Sequence, residues 1–300
     1  MRHGFDTSGA RRIESLNSSR FRPVVRNAAN DSANRSAVVT LAQVSKRFES
    51  TDDSPGVEAL SEVSFSVFKG EFLSIIGPSG CGKSTVLRII AGLVGDFEGT
   101  VSVLGNSLAG PHPAIGMVFQ EDSTFPWRTT IQNIEFGLEM RHVPRDERRE
   151  KCARMIELVG LSGFENRYPS ELSGGMRQRV AIARALILEP EILLMDEPFG
   201  ALDEQTRMIL GEQLRRIQEK LGQTIVFVTH SIQEAVQLSD RVMVMTARPG
   251  RIKKIVHVDL PRPRGAEVIG SERSVKLTAE VWSLLREEAL KGFDYLQERH

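Results

Sequence analysis

The sequence predicts an α/β fold: a central, mainly parallel sheet, antiparallel strands at its N-terminal end and an inserted helical lobe. Three observations carry this. The runs Phe72–Ile76, Ile192–Met195 and Thr224–Val228 are short, nearly all apolar and rich in branched residues, as strands covered on both faces are. Between the second and third, Leu210, Leu214, Ile217 and Leu221 fall on one face of a helix expected over Asp203–Leu221. Val38–Val44 and Val63–Phe68 instead alternate, the mark of strands with one wet face.

In chain order, residues 1–36 are rich in Asn, Ser and Arg, lack apolar periodicity and are expected to be a disordered extension. Seven Arg against Asp6, Glu14 and Asp31 make this segment +4, whereas 39 Lys+Arg and 39 Asp+Glu leave the whole chain neutral. That balance argues against a nucleic-acid partner. No secretory h-region is present, the three acidic residues disfavour an organellar leader, and no apolar run approaches the ~18 residues that span a bilayer. Residues 37–255 are expected to form one sheet domain, with a strand at Ile115–Phe119 and a charged, helical lobe over about 120–189. Residues 256–300 read as a Pro-containing connection, Val256–Arg264, then an amphipathic helix over Lys276–Leu290 with Val281, Leu284 and Leu285 inward. Two cysteines, Cys81 and Cys152, make no disulfide framework, and six scattered histidines show no zinc spacing.

Gly77-Pro78-Ser79-Gly80-Cys81-Gly82-Lys83-Ser84-Thr85 matches G-x-x-x-x-G-K-[ST] between a strand and a helix running from Lys83 to Gly92. Glycines let such a loop wrap its N–H groups around phosphates at a helix N-terminus. Lys83 is expected on the β/γ-phosphates and Ser84 on Mg²⁺. Ile192–Met195 runs into Asp196 and Glu197, where a parallel sheet presents ligands. Asp196 would hold Mg²⁺ directly or through water, and Glu197 would polarise the attacking water. Leu172-Ser173-Gly174-Gly175-Met176-Arg177-Gln178 places a capping serine and two glycines at the start of a helix reaching about Ile187.

With this last segment the chain resembles the ATP-binding-cassette ATPases over about Val38 to Gly250. The resemblance implies that Ser173, Gly174, Gly175 and Gln178 close over the ATP held by the phosphate loop of a second copy. It implies Phe48 stacked on adenine, Gln120 sensing Mg²⁺, and Ala201-Leu202-Asp203 as the loop crossing the dimer interface. His230 corresponds to the histidine that contacts the γ-phosphate, although Ser231 and Glu234 also read as a capping box for the next helix. Two ATP molecules would lie between two head-to-tail copies.

Within that family the chain resembles the nitrate/sulfonate/taurine importer ATPases. The segments Tyr168–Met176, Glu197–Asp203, Ala247-Arg248-Pro249-Gly250-Arg251-Ile252 and Asp259-Leu260-Pro261-Arg262-Pro263-Arg264 carry this, with a Trp282-containing helix after them. It implies a peripheral subunit on the cytoplasmic face of the plasma (inner) membrane, paired with integral-membrane permease subunits and, through them, an extracytoplasmic solute-binding protein. Phe125 and Trp127 follow Gln120 where the permease would dock; the alternative is that both pack inside the lobe. Polyamine and osmoprotectant importers share the Pro-Phe-Gly-Ala-Leu-Asp segment, and a soluble ATPase of nucleic-acid or translation processes is the rival class.

Overall fold

A computed structural model of the chain describes residues 36–49, 56–120, 123–200 and 202–297, with side chains as far as residue 291. The expected extension, apart from Ser36, lies outside these residues, as do Glu121, Asp122 and Ala201. The alternating segments fold as β1 (Ala37–Phe48) and β2 (Val57–Phe68), paired antiparallel from Ala37 opposite Phe68 to Phe48 opposite Val57. Both strands outrun their sequence patterns because the ladder carries several register shifts, which break strict alternation. β3 (Phe72–Ile76) is wholly buried and leads into α1 (Lys83–Ile90). β4 (Glu98–Val103) and β5 (Asn106–Ser107) complete a four-stranded sheet ordered β2-β1-β4-β5.

β6 (Ile115–Val118) precedes the helical segment, which consists of α2 (Thr130–Met140), α3 (Arg145–Leu158) and α4 (Gly174–Leu186). Then come β7 (Ile192–Asp196), α5 (Glu204–Leu221), β8 (Thr224–Val228), α6 (Ile232–Leu238) and β9 (Arg241–Met245). β10 (Ile252–His257), α7 (Ala266–Ile269) and α8 (Glu272–Gln297) finish the chain. The second sheet has six strands, ordered β10-β9-β3-β8-β7-β6, and every pairing is parallel except β9 with β10.

Three apolar clusters cover the six-stranded sheet. On one face Phe227 stacks against Phe72 and Phe199, each at 5.7 Å between ring centroids, under Val180, Ile182 and Leu186 of α4. On the other, Leu87, Ile89 and Ile90 of α1 join Leu41 and Val63 of the antiparallel sheet. At the β9–β10 end, Val242, Val244 and Val256 meet Leu277 and the fully buried Val281 of α8, with Leu284 and Leu285 packed alongside as the sequence expects.

The segment after Met245 departs from expectation. Residues 256 and 257, read as the start of a connection, belong to β10, where Val256 pairs with Val242. The expected boundary at 255 therefore falls inside a strand. Charge hid it: Lys253 and Lys254 interrupt the apolar pattern because each is paired to α8, Lys253 to Glu287 and Glu288, Lys254 to Glu280. The Pro-Arg-Pro-Arg tail also has a structural reason. Arg262 pairs with Asp240, whose carboxylate and backbone N–H both bond the start of β3. Arg264 donates from Nη1 to the carbonyls of Val236, Gln237 and Ser239 at 2.9, 3.0 and 2.7 Å, capping the end of α6, and from Nη2 to Val258 O at 3.2 Å.

Arg264→Ala strips a donor from four carbonyls at once and is expected to lower stability by about 2–4 kcal/mol, read as a shift in the urea midpoint. Arg264→Lys should recover less than half of that, lacking the planar fork. Both cysteines are free and fully buried, and burial pushes the Cys152 thiol up to about 12 and raises that of Cys81. At pH 8 a thiol reagent should leave both unmodified in the native chain and titrate both after unfolding; rapid native labelling would contradict this packing.

Candidate active site

Parallel pairing brings the carboxyl ends of β3, β6, β7 and β8 to one edge of the sheet, and Gly77–Thr85, Gln120, Asp196-Glu197 and His230 all leave from that edge. After β3 the chain turns through Gly77–Gly82 into α1. Gly82 is the N-cap in the left-handed region (φ 96), and a Cβ there would stand 2.8 Å from Ala59 O of β2. Only glycine meets both demands. No side chain caps α1 and its first turn holds no acidic residue, so its free N–H groups are open to an anion. Lys83, 7% exposed, folds over the loop and donates to Gly77 O at 3.0 Å and Pro78 O at 3.1 Å. Pro78 O also accepts from the Cys81 N–H at 3.3 Å. Ser79 and Gly80 form the exposed tip, and Thr85 is half-buried in the first turn of α1.

Ser84 Oγ donates to Asp196 Oδ1 at 3.0 Å, joining the start of α1 to the end of β7. Asp196 is 3% exposed; burial raises its carboxyl above the ordinary range, with the Ser84 hydroxyl pulling the other way and the Glu197 charge adding to the rise. Glu197 leaves the strand with φ 45, a left-handed conformation that disfavours a residue with a side chain. Two backbone bonds hold it: its N–H donates to Val228 O at 2.9 Å and its carbonyl accepts from Gly200 N–H at 3.1 Å. The turn aims its side chain at Gln120 and His230. Gln120 Nε2 donates to Glu197 Oε2 at 3.3 Å, and His230 Nδ1 lies 3.4 Å from the same oxygen.

His230 sits where β8 ends. The Thr229 N–H donates to Ile75 O at 3.2 Å, and the Thr229 hydroxyl donates to Glu234 Oε2 at 2.5 Å while accepting from the Ser231 N–H at 3.0 Å. The expected capping box is thus half made: Ser231 Oγ accepts from the Glu234 N–H at 3.3 Å, but the Glu234 carboxylate turns to Thr229 and to Arg207, 3.2 Å away.

The remaining candidates belong to other elements, α4, the start of α5 and β1. Ser173 caps α4, its Oγ accepting from the Met176 N–H at 3.3 Å, and stays exposed. Gly175 lies against α5, where a Cβ would stand 2.8 Å from Thr206 Cγ2, and Gly174 faces Leu202. Asp203 caps α5 through the N–H and hydroxyl of Thr206 at 2.9 and 2.7 Å, bonds that hold its carboxyl below the ordinary range. Gln178 is buried, its Nε2 without a hydrogen-bond partner among the described residues. Phe48 is 44% exposed, with Lys46 Nζ 5.2 Å from its ring centroid, on the strand pair that leans on Gly82. Sequence reasoning gave no role to Arg248, yet its Nε donates to Gly80 O at 3.1 Å. Nothing local ties two residues so far apart. Phe125 packs on Phe136 at 4.8 Å beneath Arg184, whereas Trp127 is 71% exposed.

The chain resembles known proteins over most of its length. Residues 60–200 match the family described as ABC transporter. An uncharacterized ABC transporter ATP-binding protein of Methanocaldococcus jannaschii is 52% identical over 236 residues, 79% of this chain and 87% of its own length. The aliphatic sulfonates import ATP-binding protein SsuB of Bacillus licheniformis is 48% identical over 235 residues, 78% of this chain and 87% of its own. Among solved structures, a dimeric ATP-binding cassette in a post-hydrolysis state bound to ADP and Pi aligns with a TM-score of 0.65 at 33% identity, covering 73% of this chain and 98% of that one. Relatives this similar over more than three quarters of the chain make it a member of the ABC transporter family of ATP-binding proteins, with ATP hydrolysis as its chemistry.

Proposed function

We propose that the chain is the ATP-hydrolysing subunit of an importer for a small oxyanionic solute, two copies closing head to tail on two ATP molecules. The observation that supports this best is the meeting of Gln120 and His230 on Glu197 Oε2, beside the Ser84–Asp196 bond. Phosphoryl transfer needs positioning and charge stabilisation rather than covalent chemistry. The N–H groups of Gly77–Thr85 and the Lys83 ammonium would hold the phosphates, and Phe48 would stack on adenine. Glu197 would take a hydrogen bond from the attacking water and orient it in line with the γ-phosphate. His230, donating from its ring, would steady that phosphate.

The Ser84 hydroxyl, the Asp196 carboxylate and the Gln120 amide oxygen are hard donors that suit Mg²⁺. Among the described residues no group of three or more His, Cys, Asp or Glu could hold a metal ion, so the rest of the shell would come from nucleotide phosphates and water. Bound there, the cation would offset phosphate charge. Ser173, Gly174, Gly175, Gln178 and Asp203 form or adjoin a second surface, at the facing ends of α4 and α5, and would complete the phosphate site of the other copy.

No helix among the described residues is long and apolar enough to cross a membrane. We assign the membrane path to separate permease subunits, contacted through the exposed Trp127 beside Gln120, with the chain peripheral on the cytoplasmic face. Solute selection would rest with the permease and an extracytoplasmic binding protein. Aliphatic sulfonates are the class named for the Bacillus licheniformis relative; nitrate and taurine present a similarly compact oxyanionic group.

Glu197→Gln should keep ATP binding, cut turnover by about 10²–10⁴-fold and accumulate a nucleotide-bound dimer in light scattering. Wild-type turnover in that variant would overturn the role of Glu197. Tagged Glu197→Gln protein, purified with ATP from detergent-solubilised membranes, should bring down a multi-pass permease. Recovery of soluble partners or nucleic acid instead would overturn the importer reading and leave the ATPase intact.

A further inference from the structure

The turn between β9 and β10, residues 246–251, is tied on one side to the phosphate loop and on the other to the C-terminal helix. On the loop side Arg248 Nε donates to Gly80 O, and Gly250 packs so closely that a Cβ there would stand 2.0 Å from Cys81 O. Gly250 also exchanges backbone bonds with β2, its N–H donating to Ala59 O at 2.9 Å and its carbonyl accepting from Ser61 N–H at 3.0 Å. Arg251 Nη2 adds a bond to Ser61 Oγ at 3.0 Å. On the helix side Glu288 of α8, 2% exposed, accepts from the Ala247 N–H at 3.0 Å, Lys253 Nζ at 2.9 Å and Lys291 Nζ at 3.0 Å. Burial alone would raise its carboxyl, but these three donors hold it below the ordinary range. Thr246 Oγ1 braces the turn internally, donating toward the Ala247 and Pro249 carbonyls at 3.0 and 3.1 Å and accepting from the Arg251 N–H at 2.9 Å.

We propose that Arg248 is a positioning residue for the phosphate loop and that Glu288 sets it, so that the C-terminal helix adjusts the affinity for nucleotide phosphates. This rests on reading the loop as the nucleotide site. In a planar trans peptide the C=O and N–H point in opposite directions, so fixing Gly80 O outward fixes where the Cys81 N–H points. That N–H now makes only a 3.3 Å bond to Pro78 O, leaving it readily given up to a phosphate oxygen. The guanidinium also adds a positive charge at the rim of an anion site.

The test is nucleotide affinity by titration calorimetry with ADP on the full chain, alongside ATPase kinetics. Arg248 is exposed, so Arg248→Ala should fold normally. It is expected to weaken ADP binding and raise KM for ATP by about threefold to tenfold, the scale of one charge-assisted hydrogen bond acting indirectly, with kcat within about twofold. Arg248→Lys should recover part of the loss, and Glu288→Gln should act in the same direction through the turn. Lys254→Ala, which cuts a link between β10 and α8 that does not involve Glu288, should leave affinity unchanged. Unaltered affinity in Arg248→Ala, or an equal loss in Lys254→Ala, would overturn the proposal. Failure of the unaltered chain to bind ADP would overturn the loop assignment itself.

Discussion

The parallel register of β6, β7, β8 and β3 is the constraint on which the rest of the molecule depends. Asp196 and Ile75 both pair with Val228, and Val118 pairs with Met195, so these strands end nearly level. The phosphate loop, Gln120, Glu197 and His230 therefore share one edge although the chain separates them widely. A slip of one residue in β7 would turn Asp196 away from Ser84, because side chains alternate faces along a strand. The stacked Phe72, Phe227 and Phe199, with the aliphatic layer of α1 opposite, hold that register by burying both faces.

Against this rigid frame the site is built from groups that folding alone would not favour. Asp196 keeps a carboxylate almost out of water with one hydroxyl donor, Lys83 spends its ammonium on two loop carbonyls, and Glu197 occupies a strained backbone region. The proposed function draws on each of them: open N–H groups and the Lys83 ammonium for an anion, and hard oxygens beside them for its counter-ion. Local strain held in place by a well-packed surround is the form that preorganised sites take.

Much of this was legible in the sequence, for physical reasons. Continuous apolar runs of strand length can be satisfied only inside a two-faced sheet, and a glycine-rich turn followed by Lys-Ser at a helix start has few other uses. What escaped had non-local causes. β10 was masked because Lys253 and Lys254 are neutralised by α8, a partner whose position no local pattern reveals. Phe125 and Trp127 look alike in sequence and their rings lie 5.6 Å apart, yet Arg184 covers Phe125 while Trp127 stays 71% exposed. Arg248 reaches Gly80 only because β9 lies beside β3, and the Pro-Arg-Pro-Arg tail serves the fold through Arg264, which closes α6 from beyond β10.

Ser173 sits exposed at the start of α4, whereas the glycine-rich loop follows β3 and Glu197 follows β7; the proposed head-to-tail pairing joins these groups across two copies. Mixing two silent variants tests this most directly: Lys83→Ala, which disables the loop, and Ser173→Arg, which blocks the capped end of α4. Each alone should be inactive, because every site in its dimer lacks one half. In the mixed dimer one site pairs the intact loop of one copy with the intact α4 end of the other, so ATPase activity should return, to at most about a quarter of wild type at equal proportions. No recovery, with mixed dimers demonstrably formed on ATP, would contradict a site completed by the second copy.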